Sequence, residues 1–356
     1  MPSFLGLHGI ASVVMNYYRQ IDRSKVQFDF IVSSQEKGAY EDEVLALGGK
    51  IYRLPSRNRH PFKYVKALKL LFKENPEYKI FHVHGNSASI RMDLKAARKA
   101  NIPFRIGHSH NTSCFIKWQH YFNKPFLNKH CTHFFACSSD AGKWMFGEKL
   151  NVKLVKNAID LNKFKFDPNS RTEIRGLFNI QDDTVVAGTV GGLTPNKNQT
   201  FLLDVFFEYL KVNDNAKLII VGKGGLLKEL ENKTKLLGIE DKVIFAGSTN
   251  TPNKFYSAFD IFCFPSLYEG LGLVAIEAAA NGLNVLLSDR IPAEVNVSGR
   301  VRFLPLGNPA NWSHCIENQL IKSEQRICEK NIEEIEQSGY NIITAAKELE
   351  NFYLSL

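Results

Sequence analysis

Two glutamates separated by seven residues, Glu269 and Glu277, lie in the stretch Pro265–Gly282, which reads PSLYEGLGLVAIEAAANG. From Leu273 to Ala280 every residue except Glu277 is apolar, so a helix here has no wet face for a charge. Burying an unpaired carboxylate costs several kcal/mol, so Glu277 needs a partner, either a side chain or a ligand. The loop Ser266–Gly272 runs into this helix. Bare amides at a helix start, with the positive end of its dipole, form an anion site. Gly270 and Gly272, beside Leu271 and Leu273, let a phosphate approach the backbone. Glu277 stands about 12 Å along the helix from Glu269, at about 1.5 Å per residue. A sugar nucleotide has that reach, with its diphosphate at the helix start, ribose hydroxyls on Glu277 and the sugar near Glu269. A glutamate hydrogen-bonded to backbone within a core is the structural alternative.

Other residues could join such chemistry. Lys197 follows a strand-like run and the turn Gly191–Asn196, where a lysine could neutralise a diphosphate leaving group. Taken alone, a lysine after a turn reads as a solvated charge. Two His-x-His pairs, His82/His84 and His108/His110, end strand-like runs, and strand alternation puts each pair on one sheet face. No third and fourth ligand is organised around either pair, so the expected metal site is none, and His84 and His108 read as core residues.

The elements that must position these residues alternate in the manner of parallel sheets with crossover helices. Strand-like runs fall at Phe28–Val32, Lys50–Arg53, Ile80–His84, Phe104–His108, Phe134–Ala136 and Lys153–Val155. A second set falls at Thr184–Thr189, Lys217–Val221, Lys242–Phe245, Ile261–Phe264 and Asn284–Leu287, with helical patterns such as Thr200–Lys211 and Leu226–Leu237. Two such sets predict two Rossmann-like domains, residues 1–160 and 161–338, with residues 339–356 as a helix packing back across the junction. A doubly wound domain opens on a strand, and Phe4–Leu7 is too short to be a central one. The reading is that the first strand is missing and an earlier start exists.

The chain has 356 residues, 44% of them apolar and 23% charged, the composition of a soluble globular protein. It has no apolar run long enough to span a bilayer and no signal-peptide pattern. Its six cysteines show no C-x-x-C pair and read as reduced cytosolic thiols. Charge is uneven: residues 1–175 hold 29 Lys+Arg and 14 Asp+Glu, a balance of +15, against −6 in the remainder. A basic front half suits an anionic partner, whether nucleic acid, anionic lipid or a phosphorylated substrate. No nucleic-acid motif accompanies the basic residues, which argues against the first. From Pro61, Phe62, Val65, Leu68 and Phe72 recur at helical spacing with Lys63, Lys66, Lys69 and Lys73 between them. Such a helix either lies on an anionic membrane surface or covers a core with its basic face in water.

The Glu269/Glu277 segment, with Ser288-Asp289 and Glu294 after it, resembles the glutamate pair of family 4 retaining glycosyltransferases of GT-B fold. Val13–Arg19, His108–Asn111, Val155–Asp160 and Lys197-Asn198 look like stretches of its capsule and exopolysaccharide members. The resemblance covers nearly the whole chain. It implies an α/β GT-B fold, two Rossmann-like domains with parallel sheets facing across a cleft, the first binding acceptor and the second the nucleotide sugar. It implies that Glu277 holds the ribose, Glu269 holds or orients the donor sugar and Lys197 stabilises the diphosphate. It further implies that His110 stands beside the reacting sugar and that Gly9 lies in a loop closing over the donor. Two departures stand out. Position 192, where the family has an arginine, is Gly192, for which Lys223 is the candidate substitute. Where the family has two glycines, this chain has His8-Gly9.

The expected function is retaining hexosyl transfer, without metal or other cofactor, from a nucleotide sugar, UDP-linked by family habit. The acceptor is a lipid-linked oligosaccharide in capsule or exopolysaccharide synthesis. The expected location is cytoplasmic, peripheral on the inner face of the membrane. The resemblance implies that the departing phosphate helps deprotonate the acceptor on the same face. The rival is a catalytically impaired GT-B partner subunit. An epimerase is disfavoured by the glutamate context, and a phosphorylase by the lack of a lysine-linked cofactor site.

Overall fold

The computed structural model describes residues 5–6, 9–320, 326 and 328–356. Contacts divide the chain into two compact units, Met1–Ile159 with Gly339–Leu356, and Asp160–Ser338.

In the second unit the strands are β7 (Val185–Val190), β8 (Ala216–Val221), β9 (Val243–Gly247), β10 (Ile261–Phe264), β11 (Val285–Ser288) and β12 (Val301–Leu304). They form one parallel sheet in the order β12-β11-β10-β7-β8-β9. Renumbered along the chain this is the doubly wound 3-2-1-4-5-6 order, with its switch point between β7 and β10. β10 and β11 are buried at every residue, as continuous apolar strands covered on both faces should be. β12 lacks a sequence signal because it is an edge strand that alternates with the exposed Arg302. A core cluster on one face of this sheet includes Leu202, Phe206, Leu218, Ile220, Ile261 and Trp312, and Phe259, Phe262, Phe264 and Ile276 are buried as well. A buried ion triad locks the Pro168–Leu177 helix to it. Arg171 and Arg175 both reach Asp260, at 2.8 and 2.6 Å, while Asp260 accepts from the amide of Val186.

The first unit holds β1 (Phe30–Val32), β2 (Ile51–Arg53), β3 (Ile80–Gly85), β4 (Phe104–Ser109), β5 (His133–Ala136) and β6 (Lys153–Leu154). They form two separate parallel sheets, β1-β2 and β3-β4-β5-β6. Its core is also in two pieces: Met15, Tyr18, Phe30, Val32 and Val44 gather around β1, and Leu68, Phe72, Phe81, Val83 and Leu94 around β3. Between β1 and β3 lies a largely apolar cavity of about 220 Å³, lined by Phe30–Val32, Ile80–His82 and His84, with Val14, Phe28 and Leu71. The buried Leu5 also lines it and accepts a hydrogen bond from the amide of Tyr40. Of the residues expected to be too short for an opening strand, Phe4 and Leu7 lie outside the described residues, as does His8.

The carboxyl-terminal helix, Ile342–Leu354, belongs to the first unit and packs on the helix Gly9–Gln20. Its Tyr353 pairs with His82 Nδ1 at 2.6 Å, and Glu350 accepts from the amide of Asp22.

Three further readings meet the structure here. Gly9 is helical, within Gly9–Gln20, and not part of a preceding loop. The Pro61–Glu74 helix buries Tyr64, Leu68, Leu71 and Phe72 in the core and leaves Phe62 and Leu70 exposed. Its apolar side is therefore mostly spent on packing, which favours the core-covering alternative for this helix. Cys137, Cys263 and Cys315 are buried, Cys114 and Cys131 are partly so, and the Cys328 side chain lies outside the described residues. Among the described residues no helix is long and apolar enough to cross a membrane.

Candidate active site

The switch point brings the loops after β7 and β10 side by side, because those strands are neighbours though far apart in sequence. After β7 the chain makes a 3-10 turn, Pro195–Lys197, and stops at Asn198, which takes a left-handed φ of 55°. Asparagine tolerates that conformation, and its side chain donates to the Pro265 carbonyl at 3.2 Å. Two more bonds clamp the loops, since the Leu267 amide and the Ser266 hydroxyl both donate to the Asn196 carbonyl at 2.7 Å. The result is direct: Lys197 Nζ stands 2.7 Å from Glu269 Oε1, and Ser266 also donates to that carboxylate. Both partners are largely buried, at 19% and 12% side-chain exposure, so their attraction is poorly screened. Lys197 further lies over the Phe264 ring at 4.7 Å.

Gly272 has φ 96° and stands at the N-cap of the helix Leu273–Ala280, where glycine has no side chain to cap with. A Cβ at Gly272 would stand 3.3 Å from Ile291, so the position also lacks room. Gly270, Leu271 and Gly272 are buried immediately before the helix. The helix start at which an anion was expected is thus a buried loop end that follows the glutamate of a lysine–glutamate pair.

Glu277 receives its partner from a side chain that the sequence reading did not identify. Tyr256, fully buried on the helix Pro252–Ala258, donates to Glu277 Oε2 at 2.7 Å. Burial pushes the Glu277 carboxyl up to about 7, against the lowering effects of this bond and of Lys163. The carboxyl is held between its neutral and charged forms near physiological pH. The tyrosine's own ionisation is driven far up by burial and by the nearby carboxylate.

At position 192 an added Cβ would stand 3.8 Å from the Lys223 carbonyl oxygen, so Lys223 stems from the patch where an arginine side chain would emerge. The loops of β7 and β8 press together only because glycine permits it: a Cβ on Gly224 would lie 2.2 Å from the Leu193 carbonyl. Lys223 is exposed, so its amine is available above that contact. The second unit thereby gathers Lys197, Lys223, Glu269, Glu277 and the Gly270–Leu273 loop, together with Asn196, Tyr256, Ser266 and Lys163. Ser266 and Asn196 could be read from sequence only as loop residues, and Tyr256 only as an apolar-face aromatic.

Gly9 and His110 belong to the first unit. Nothing lies within 4 Å of a Cβ placed on Gly9. His110 joins a ladder of four histidines, because β3 and β4 pair in a register that sets His84 against His108. His84 Nδ1 meets His110 Nε2 at 2.9 Å, and His82 Nε2 meets His108 Nδ1 at 3.1 Å. Within each strand the rings stack, at 4.1 Å for His82/His84 and 4.0 Å for His108/His110. Burial lowers all four, to about 3 for His82 and His110 and well below the ordinary value for His84 and His108. These imidazoles are neutral across the physiological range and serve as hydrogen-bonding groups. His82, His84 and His108 place ring nitrogens within 4.8 Å of one another beside a cavity of about 20 Å³. The trio could ligate a soft divalent ion, a merger the sequence did not reveal because it depends on which strands are neighbours.

Comparison with known proteins agrees with this geometry. The "Glycosyl transferases group 1" family matches residues 170–326 and "Glycosyltransferase Family 4" matches residues 7–163. The chain is 33% identical over 325 residues to EpsF of Bacillus subtilis, a protein named as a glycosyltransferase, covering 86% of this chain and 83% of that one. It is 24% identical to an Escherichia coli UDP-Gal:alpha-D-GlcNAc-diphosphoundecaprenol alpha-1,3-galactosyltransferase, covering 80% and 76%. Among solved structures, Anabaena HepE in complex with UDP-glucose has a TM-score of 0.80 at 18% identity, covering 99% of this chain and 97% of that one. WaaG, a lipopolysaccharide-biosynthesis glycosyltransferase, has a TM-score of 0.73 at 14% identity over 99% and 98%. By fold this is a GT-B protein. The chain belongs to the family 4 glycosyltransferases.

Proposed function

We propose that this glycosyltransferase moves a hexosyl group, with retention, from a UDP-sugar to a lipid-linked oligosaccharide acceptor in capsule or exopolysaccharide synthesis. The observation that carries the reading is the Lys197–Glu269 pair beside the glycine loop that starts the helix bearing Glu277. In this reading the diphosphate binds at Gly270–Leu273, where the helix amides meet it. Lys197 leaves its pair with Glu269 to meet the β-phosphate as negative charge develops on the leaving group. Lys223 supplies the second cation, doing at the mouth of the β8 loop what an arginine at 192 would do. Glu269 then faces the sugar hydroxyls, and Glu277 accepts from the ribose hydroxyls in its charged form.

The neutral His110 donates or accepts a hydrogen bond at the sugar without carrying a proton through the reaction. The acceptor proton goes to the departing phosphate oxygen on the same face. Helix amides and lysines supply the charge stabilisation, so no metal or other cofactor is invoked. The relative whose name gives a diphosphoundecaprenol-linked sugar as its acceptor supports a lipid-linked acceptor here, and so a place at the inner membrane face.

Calorimetric titration with UDP and GDP, with and without EDTA, tests the donor. Micromolar UDP binding that ignores EDTA, with GDP weaker, is expected. No binding of either nucleotide would leave Gly192 uncompensated and favour a GT-B partner subunit without catalysis.

A further inference from the structure

The first unit carries an exposed aromatic surface that the donor site does not use. The helix Lys117–Leu127 buries only His120 and Leu127. Around them Phe115, Ile116, Trp118, Tyr121, Phe122 and Phe126 stand exposed, Phe115 completely, Trp118 at 72% and Phe122 at 65%. Single exposed apolar residues are ordinary, but here six fall within twelve positions, on one helix and its lead-in.

The surroundings are cationic and carry no acid in the local sequence. From Leu94 to Ser139 there is no Asp or Glu, while Lys95, Arg98, Lys99, Arg105, Lys117, Lys124 and Lys129 all fall within that span. The cations converge in space as well. Burial lowers the pKa of His130 to about 4, helped by the positive charges of Arg98, Arg91, Lys129 and Lys95. Arg91 and Lys129 both lie over the Phe126 ring, at 4.9 and 5.1 Å, which ties the basic cluster to the aromatic one.

We infer that this surface docks on an anionic lipid bilayer, with the aromatic residues entering the headgroup layer and the lysines and arginines meeting lipid phosphates. Trp, Tyr and Phe rings beside Lys and Arg are the residue set that partitions to a membrane interface, and a fluid headgroup layer accepts a convex helix that needs no matching groove. The inference rests on the lipid-linked acceptor reading above, because a transferase that works on such an acceptor must stand at the bilayer. It places the contact on Phe115–Phe126 and not on the lysine-rich Pro61–Glu74 helix.

The test is co-sedimentation of the intact chain with vesicles of phosphatidylcholine alone and with about a third phosphatidylglycerol. Four proteins are compared: the native chain, Trp118→Ser/Phe122→Ser, Lys117→Glu/Lys129→Glu, and Leu236→Ser, which removes an exposed leucine of the second unit. The native chain and Leu236→Ser should partition about tenfold more onto anionic vesicles, an advantage that falls steeply with salt. Each double variant should lose about tenfold while retaining UDP binding and far-UV circular dichroism. Equal binding by all four, or none to anionic vesicles, overturns the inference. So does self-association that the aromatic variant abolishes without any vesicle binding, which would make the patch an interface between copies. Loss of UDP binding in the native chain with vesicle binding intact would instead break the donor reading and leave this surface standing.

Discussion

The two units share a plan and differ in how their described strands pair. In the second, six parallel strands form one sheet, and the loops on either side of its switch point converge on Lys197, Glu269 and Glu277. In the first, the sheet is split between β1 and β3, the core is split with it, and an apolar cavity occupies the gap. Placed in the second unit's order, the gap falls where the innermost strand would stand. β1 and β3 each have one edge without a strand partner among the described residues, and a two-stranded pair such as β1-β2 is marginal alone. Their candidate residues differ in charge as well. The second unit sets Lys197 against Glu269 and raises the Glu277 carboxyl, whereas burial lowers His82, His84, His108 and His110 of the first. The contrast teaches that a Rossmann-like unit fixes a site through the neighbours of its central strands.

Chemistry gives the sharpest test of that contrast. Lys197→Ala should lower kcat by about 10²–10³-fold, the usual effect of removing a group that stabilises leaving-group charge. Glu269→Ala should mainly lower transfer, Glu277→Ala should weaken nucleotide binding, and His110→Ala should cost about tenfold, in line with one lost neutral hydrogen bond. Steady-state kinetics on the four variants decides. A His110 effect as large as that of Lys197 would break the assignment of charge to the second unit alone. A histidine titration between pH 6 and 7 in kcat that His110→Ala removes would break the neutral ladder.

Stability separates the units next. Asp260→Ala strands Arg171 and Arg175 in a buried site and should cost about 3–5 kcal/mol, seen as a lower Tm for the second unit's transition only.

The smallest effect concerns Glu277. Its folded pKa of about 7 lies above the ordinary 4.5, so the folded chain binds more protons than the unfolded chain between those values. The native state therefore loses stability as pH rises from about 4.5 to 7, and Glu277→Gln should flatten that slope in denaturant titrations. Ribose hydroxyls favour the charged form, so UDP binding near pH 7 should release a fraction of a proton. Calorimetry in buffers of different ionisation enthalpy reads that fraction, and none released would count against Glu277 as the ribose ligand.

Much of this was legible in the residues. The alternation of apolar runs located eleven of the twelve strands to within two residues, because buried parallel strands are continuous apolar segments bounded by turns. β12 escaped since an edge strand needs no such run. Glu277 announced itself as a charge on an apolar helix, and Lys197 and the glycine loop could be placed at strand ends. Tyr256 could not be found, since nothing in a sequence says which helix will pack against Glu277. The Pro61–Glu74 helix left two readings open for a related reason: its amphipathic pattern is the same whether a core or a membrane takes the apolar side.

What the sequence determined by itself was therefore local and one-dimensional: element type, the two repeated sets, and the carriers of charge and glycine. Tertiary structure alone decided which strands became neighbours, and so which end loops met. That is why Lys197 and Glu269, 72 positions apart, stand 2.7 Å from each other. It is also why two His-x-His pairs became one ladder. Neighbour choice depends on burying long-range apolar surface in a single arrangement of layers, and no local propensity encodes it.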